Sequence, residues 1–240
     1  MDNNEKMPEE GYSAGTETVA QKLDNFWYHY KWHTIVSIFI IFVLAVCTFQ
    51  MCSRTSYDAY VMYSGGKSIA KTLENSEYAN IRSAFALVCP DFDGDGQSNP
   101  HFQSYLTPTD EEYAKNFNGK GLESVIVADK DSFNTAMLGS QEYYLCFLSA
   151  ANFEVFDAPI QNGAYPLITL TDITSDENLL TESGRGIYLS ATDFYKLPGI
   201  SSLPDDTVIC IRQKGVGGDK ENFENAKVLL KCILDYKYEE

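Results

Sequence analysis

Histidine is scarce in this chain. There are three in 240 residues, and only His101 lies beyond residue 55. A zinc site built on histidines needs more than one, and a Ser-His-Asp triad would have to use His101. That residue follows Pro100 at the start of an apolar run and reads as a surface histidine. No G-x-S-x-G elbow and no C-x-x-C pair occurs, which removes the usual signatures of acyl transfer, dithiol redox chemistry and cysteine-built zinc sites. Beyond the apolar segment described next, Cys89, Cys146, Cys210 and Cys232 all sit in apolar runs such as "YYLCFL" and "TVICIR". Two disulfides and buried free thiols both fit, and the apolar settings favour free thiols.

Formal charge is missing altogether from "TIVSIFIIFVLAVCTFQMC", the 19 positions 34–52. At about 1.5 Å per residue this run spans roughly 28 Å, the depth of a bilayer's hydrocarbon core. It lacks the polar face of a soluble core helix, so it predicts a transmembrane helix in contact with lipid. "NFWYHYKWH" (25–33) supplies the aromatic belt of a membrane interface. Lys22 and Lys31 precede the run, and Arg54 alone follows closely, a bias that favours a cytoplasmic N-terminus. The polar leader is long for a cleaved signal, and no A-x-A site follows the run. "LAVC" ending at Cys47 has Val46 where lipidation prefers a small residue. The expected organisation is a disordered cytoplasmic tail (1–24), an aromatic-flanked transmembrane helix (25–53) and an extracytoplasmic domain (55–240).

The first 54 residues hold four basic and six acidic residues, leaving 14 and 28 of the chain's 18 and 34 for the rest. A net charge of −14 repels nucleic acid and anionic headgroups, so nucleic acid is not an expected partner. About 185 residues suit one domain with a real core. "YDAYVMY" (57–63), "SAFALVC" (83–89), "HFQSYLT" (101–107), "ESVIVAD" (123–129), "EYYLCFLS" (142–149) and "DTVICIRQ" (206–213) read as strands. "PLITLTD" and "GRGIYLS" read as shorter ones. Helices are expected over 66–82, over "KDSFNTAML" and "AANFEVF", and over 220–236 with Val228, Leu229, Cys232 and Ile233 on one face. This alternation predicts an α/β domain, a mixed sheet flanked by helices.

Two motifs invite chemistry. "YVMYSGGKS" (60–68) ends like a phosphate-binding loop, but the glycine that should open G-x-x-x-x-G-K-[ST] is Val61, inside the strand. It reads as a strand-to-helix turn. "DFDGDGQSN" (91–99) places Asp91, Asp93, Asp95 and Gly96 at positions 1, 3, 5 and 6 of a calcium loop. This resembles the first half of an EF-hand or dockerin-type loop. The closing acid at position 12 is replaced by Phe102, with Asp110 and Glu111 further on. Asp91, Asp93 and Asp95 are therefore candidate ligands of a weak structural calcium ion, weighed against an acidic surface turn.

Residues 129–173 carry a pattern at Phe133, Gly139, Tyr144, Phe147, Leu148, Phe153, Phe156, Leu167, Leu170 and Asp172. It resembles a stretch of extracellular solute-binding proteins of ABC transporters. The resemblance implies a fold like one lobe of a periplasmic-binding-protein-like domain and a transporter subunit as partner. The aromatic lead-in and Leu203, Pro204, Asp205, Thr207 and Arg212 are similar to small membrane-anchored proteins of anaerobic Gram-positive bacteria. The expectation is a single-pass extracytoplasmic binding or interaction module without catalysis. The alternative is a membrane-tethered hydrolase acting on cell-wall or carbohydrate material through paired carboxylates.

Overall fold

The computed structural model describes residues 19–52, 56–69, 75–161 and 163–239. The chain divides into two compact units, 1–55 and 56–240. In the first, helix α1 covers Val19–Cys52, and its stretch Tyr30–Phe49 is long and apolar enough to cross a bilayer. None of that stretch is buried against protein. The tail expected over 1–24 lies outside the described residues up to residue 18, and residues 19–24 are helical.

In the second unit, strands β1 (Tyr60–Gly65), β2 (His101–Leu106), β3 (Leu145–Leu148), β4 (Gly186–Tyr188) and β5 (Val208–Ile211) form one sheet in the order β2-β1-β3-β5-β4. β1 is parallel to β2 and β3, with Met62 beside Gln103 and Cys146. β5 runs antiparallel to β3 and β4. The mixed sheet flanked by helices is as the alternation implied.

Two segments expected as strands are helical. The segment 83–89 belongs to α2 (Ser76–Val88), not to a strand. Asn75 Oδ1 accepts from the amides of Glu77 and Tyr78 and fixes the start of α2. Buried Tyr78, Ile81, Ala84 and Phe85 then recur at helical spacing. Part of the helix expected over 66–82, residues 70–74, lies outside the described residues. The β-branched run 123–129 lies in α4 (Glu123–Gly139), where Ile126, Phe133, Ala136 and Met137 face the core and Val125 and Val127 face outward. Tertiary burial overrides its strand propensity.

α3 (Asp110–Asn116) opens on a capping box between Thr109 and Glu112. α5 (Ala150–Asp157) follows β3 directly. α6 (Lys220–Asp235) buries Ala226, Leu229, Leu230 and Ile233, a face turned from the expected one. Val228 is exposed and Cys232 half-buried. Of "PLITLTD", only Leu167 pairs, in a single bridge to Arg212.

Two cores sandwich the sheet. On one face Val61, Tyr63, Phe147 and Ile209 meet Phe85 of α2, Phe194, and Leu229 and Ile233 of α6. The Phe85 ring touches Phe102, Phe147 and Phe194 at 5.3–5.8 Å between centroids. On the other, Met62, Cys146, Leu148 and Cys210 meet Phe133 and Met137 of α4 and Phe153 of α5. Cys89, Cys146 and Cys210 are buried free thiols. Burial pushes the Cys89 thiol up to about 12, so it stays protonated.

Arg212, at the end of β5, is buried. It has no carboxylate partner among the described residues. Its guanidinium donates to the carbonyls of Tyr143, Met137 and Ser140 and lies 4.7 Å from the Tyr144 ring centroid. Met137 and Ser140 are at the C-terminal end of α4, where the helix dipole favours a cation. Arg212→Met is expected to lower unfolding stability by about 3 kcal/mol, because it strands buried carbonyls. Arg212→Lys should not restore it, since an ammonium lacks the planar fork. Chemical denaturation of both variants checks this, and a wild-type midpoint in either would refute the clamp.

Candidate functional site: an aspartate loop and a cationic groove

The loop 91–99 folds around its own carboxylates. Asp91 accepts from the amides of Gly94 (2.7 Å), Asp95 (3.2 Å) and Gly96 (2.8 Å). Gly94 and Gly96 hold φ values of 76° and 85° that suit glycine. These bonds, Gly96 first, hold the Asp91 carboxyl below its ordinary range. The element that seats the loop lies just before β1. Buried Asp58 accepts from Phe92 and Asn99 amides at 2.7 Å each and from Asp93 at 3.3 Å.

Ligand atoms of Asp58, Asp91 and Asp93 lie within 4.8 Å of one another. Asp95 is not in this group. Its Oδ1 takes the Gln97 amide. Phe102, in the twelfth position, is buried in the core. Asp110 and Glu111 begin α3, beyond the far end of β2. The three converging carboxylates form a hard, all-oxygen donor set of the kind calcium takes. Asp58 enters it where the sequence motif lacks a closing acid.

The Gly-Gly-Lys-Ser turn binds inward. β1 runs unbroken through Val61 to Gly65, so no loop wraps a phosphate there. A Cβ on Gly65 would sit 2.5 Å from the Tyr63 hydroxyl. Lys67 Nζ is spent on the Ser202 carbonyl and on Glu77. Residues 66–69, where the expected helix begins, are not helical, and beyond the undescribed residues 70–74 helix α2 covers Ser76–Val88.

His101 is half-buried rather than a surface residue. Its ring packs among Tyr57, Tyr60 and Tyr143 at 4.7–5.8 Å, and Nδ1 lies 2.9 Å from the Tyr143 hydroxyl. Its contacts are aromatic, unlike those of a triad base.

A groove of about 740 Å³ opens on the second unit, within the size range of small-molecule sites. One wall is the strap 164–173. Hydrogen bonds from Gln213 to Pro166, Ile168 to Ile211 and Leu170 to Gly184 pin it to the end of β5 and to the turn before β4. The opposite side is the first half of α6, with Phe223 and Lys227. Between them Arg185 lies 3.5 Å from the Tyr165 ring centroid, and its Nη1 pairs with Asp157 at 3.3 Å. Lys227 Nζ sits 4.4 Å over Phe223 and pairs with Glu224 at 3.3 Å. Asp172 is the one carboxylate in the lining.

The solute-binding resemblance marked Leu167 and Asp172 as pattern positions and not as ligand residues, and sequence reasoning missed Tyr165, Arg185, Phe223 and Lys227. Those four come from three separate segments; Phe223 and Lys227 share one helical face, and no spacing links that face to Tyr165 or Arg185.

Burial, aided by the Arg82 charge, holds the His101 imidazole below its ordinary value. The unfolded chain therefore takes up this proton first as pH falls. The contribution of His101 is whole above about pH 6.5 and shrinks as pH drops below it. The melting temperature is expected to fall between about pH 7 and 5.5, with His101→Gln flattening part of that slope. An identical slope in the variant would remove His101 as its source.

Compared with protein-family models, with curated proteins and with solved structures, the chain matches none.

Proposed function

We propose that the chain is a membrane-anchored extracytoplasmic binding module, with α1 as its anchor and the groove between the 164–173 strap and α6 as its ligand seat. The observation that carries the reading is the groove itself. It has ligand-sized volume, and polar groups from four chain segments converge on an apolar floor. The soft resemblance of residues 129–173 to solute-binding proteins favours a transporter subunit as partner, since the strap belongs to that stretch. The hydrolase alternative gains nothing from a lining with one carboxylate.

The test is cross-linking of the full-length protein in intact membranes, followed by mass spectrometry. A permease or another transport subunit is the expected capture. Reproducible capture of cell-wall enzymes alone would count against the transporter role. For the ligand seat, the full-length protein in lipid nanodiscs is screened by thermal shift against small solutes. Tyr165→Ala should abolish any stabilisation found, and a shift unaffected by it would move the seat elsewhere.

In the same reading, the Asp58–Asp91–Asp93 group holds a weak structural calcium ion. The donor chemistry fits, and the ion would offset three carboxylates held close together. At roughly ten times its dissociation constant, calcium would add about 1.4 kcal/mol, a rise of roughly 3–5 °C in melting temperature. Asp93→Ala should lose this response, because the Asp93 side chain accepts a single backbone amide among the described residues, that of Asp95 at 3.1 Å, and Asp58 and Asp91 are the main tethers of the loop. A wild-type melt that is the same in calcium and in EDTA would leave the loop as an acidic turn.

A further inference from the structure

We infer that the groove takes a sugar-sized organic anion. Its carboxylate or phosphate would meet Arg185 and Lys227, and its body would lie over Ile168 and Ile173. The inference rests on the groove being the ligand seat and adds the class of ligand.

Charge is the first argument. Residues 55–240 carry twice as many acids as bases, 28 against 14. The groove lining itself holds two bases and one acid, and each base also pairs with an acid outside the lining, Asp157 and Glu224. A solvated patch drawn at random from this surface would be acidic. Local cations on an acidic domain focus an anionic solute onto one place and turn it away elsewhere.

The state of Arg185 is the second. Its side chain is only 17% exposed, and stacking on Tyr165 fixes the plane of the guanidinium. Among the described residues one donor, Nη1, is engaged, and that bond to Asp157 is long at 3.3 Å. A guanidinium has five N–H donors in a rigid fork. A partly desolvated fork with most of its donors unspent, beside a ligand-sized space, is suited to a bidentate oxyanion. The single contact to Asp157 orients the group without saturating it.

Lys227 is the third. Its partner Glu224 is one turn away on α6 and half exposed. Such surface pairs are weak and exchange readily for a better acceptor. Phe223 beneath the ammonium keeps it at the groove after the exchange.

The rest of the lining speaks to the body of the ligand. Leu167, Ile168 and Ile173 offer an apolar floor, while Asp172, Thr169 and Gln213 offer acceptors and donors. That mixture suits a compact hydroxylated molecule better than an acyl chain. Asp172 would accept from its hydroxyls.

The experiment uses full-length protein in nanodiscs at physiological salt, titrated calorimetrically with glucuronate, glucose 6-phosphate and glucose. These share a body and differ in the anionic group. The expected result is binding of at least one anion about tenfold or more tighter than glucose, with Arg185→Gln and Lys227→Gln each weakening it about tenfold or more. Binding confined to glucose 6-phosphate identifies a phosphate ligand, and binding confined to glucuronate a carboxylate ligand. Either supports the inference. Lys227→Gln guards against a folding defect in Arg185→Gln, and a melt of each variant confirms the fold. Glucose bound as well as the anions would overturn the anion requirement and leave the ligand seat standing. Full affinity in both variants would also overturn it. No binding of either anion overturns the inference, and the wider solute screen then shows whether the ligand seat falls with it.

Discussion

A buried guanidinium with no counter-ion among the described residues organises the second unit. Arg212 ends β5, and its charge is met by three carbonyls and the face of Tyr144. Removing a cation from water without a carboxylate is tolerable only where several dipoles converge. Satisfying Arg212 therefore forces the end of α4, the turn at Ser140 and the start of β3 into one arrangement. The same residue's backbone pairs with Leu167, so the strap that walls the groove registers against the same point. An error in the α4–β3 turn would propagate to the groove without touching any residue in it.

The groove and the aspartate loop are built on a common plan. Each takes a short local motif and completes it with a residue from elsewhere in the chain. Asp58, ahead of β1, seats a loop that lies between α2 and β2. Arg185, ahead of β4, stacks on Tyr165 of the strap. In both, glycines with positive φ, Gly94 and Gly96 in one and Gly184 in the other, set the local path of the chain. The sheet supplies the fixed distances across which these partners meet.

Much of the sheet was legible in the sequence, because β1, β2, β3 and β5 are dense apolar runs bounded by turn residues. α5 and α6 were legible from helical spacing. The runs 83–89 and 123–129 misled because a short apolar segment has no period of its own, and helices and buried strands then look alike. Their neighbours decided the matter: Asn75 starts a helix that Phe85 anchors, and Ile126 packs with Leu106 and Phe117. At the site, Asp91 and Asp93 declared themselves through the Asp-Gly alternation. Asp58 did not, since a lone aspartate beside a strand has no signature until the fold brings amides to it. His101 was placed at the surface because sequence could not reveal the three tyrosines that enclose it.

Both edges of the sheet are occupied. On β2, the Tyr78 hydroxyl takes the outward carbonyl of Phe102 and Asp129 takes the outward amide of Leu106. On β4, residues Leu179 and Thr181 take the outward groups of Tyr188 and Gly186. Open edges recruit further strands from other chains. If α1 holds the chain in a bilayer, copies meet in two dimensions at concentrations that a dissolved protein rarely reaches. Closed edges then keep crowding from becoming polymerisation, and the domain can be displayed densely while each groove stays separate.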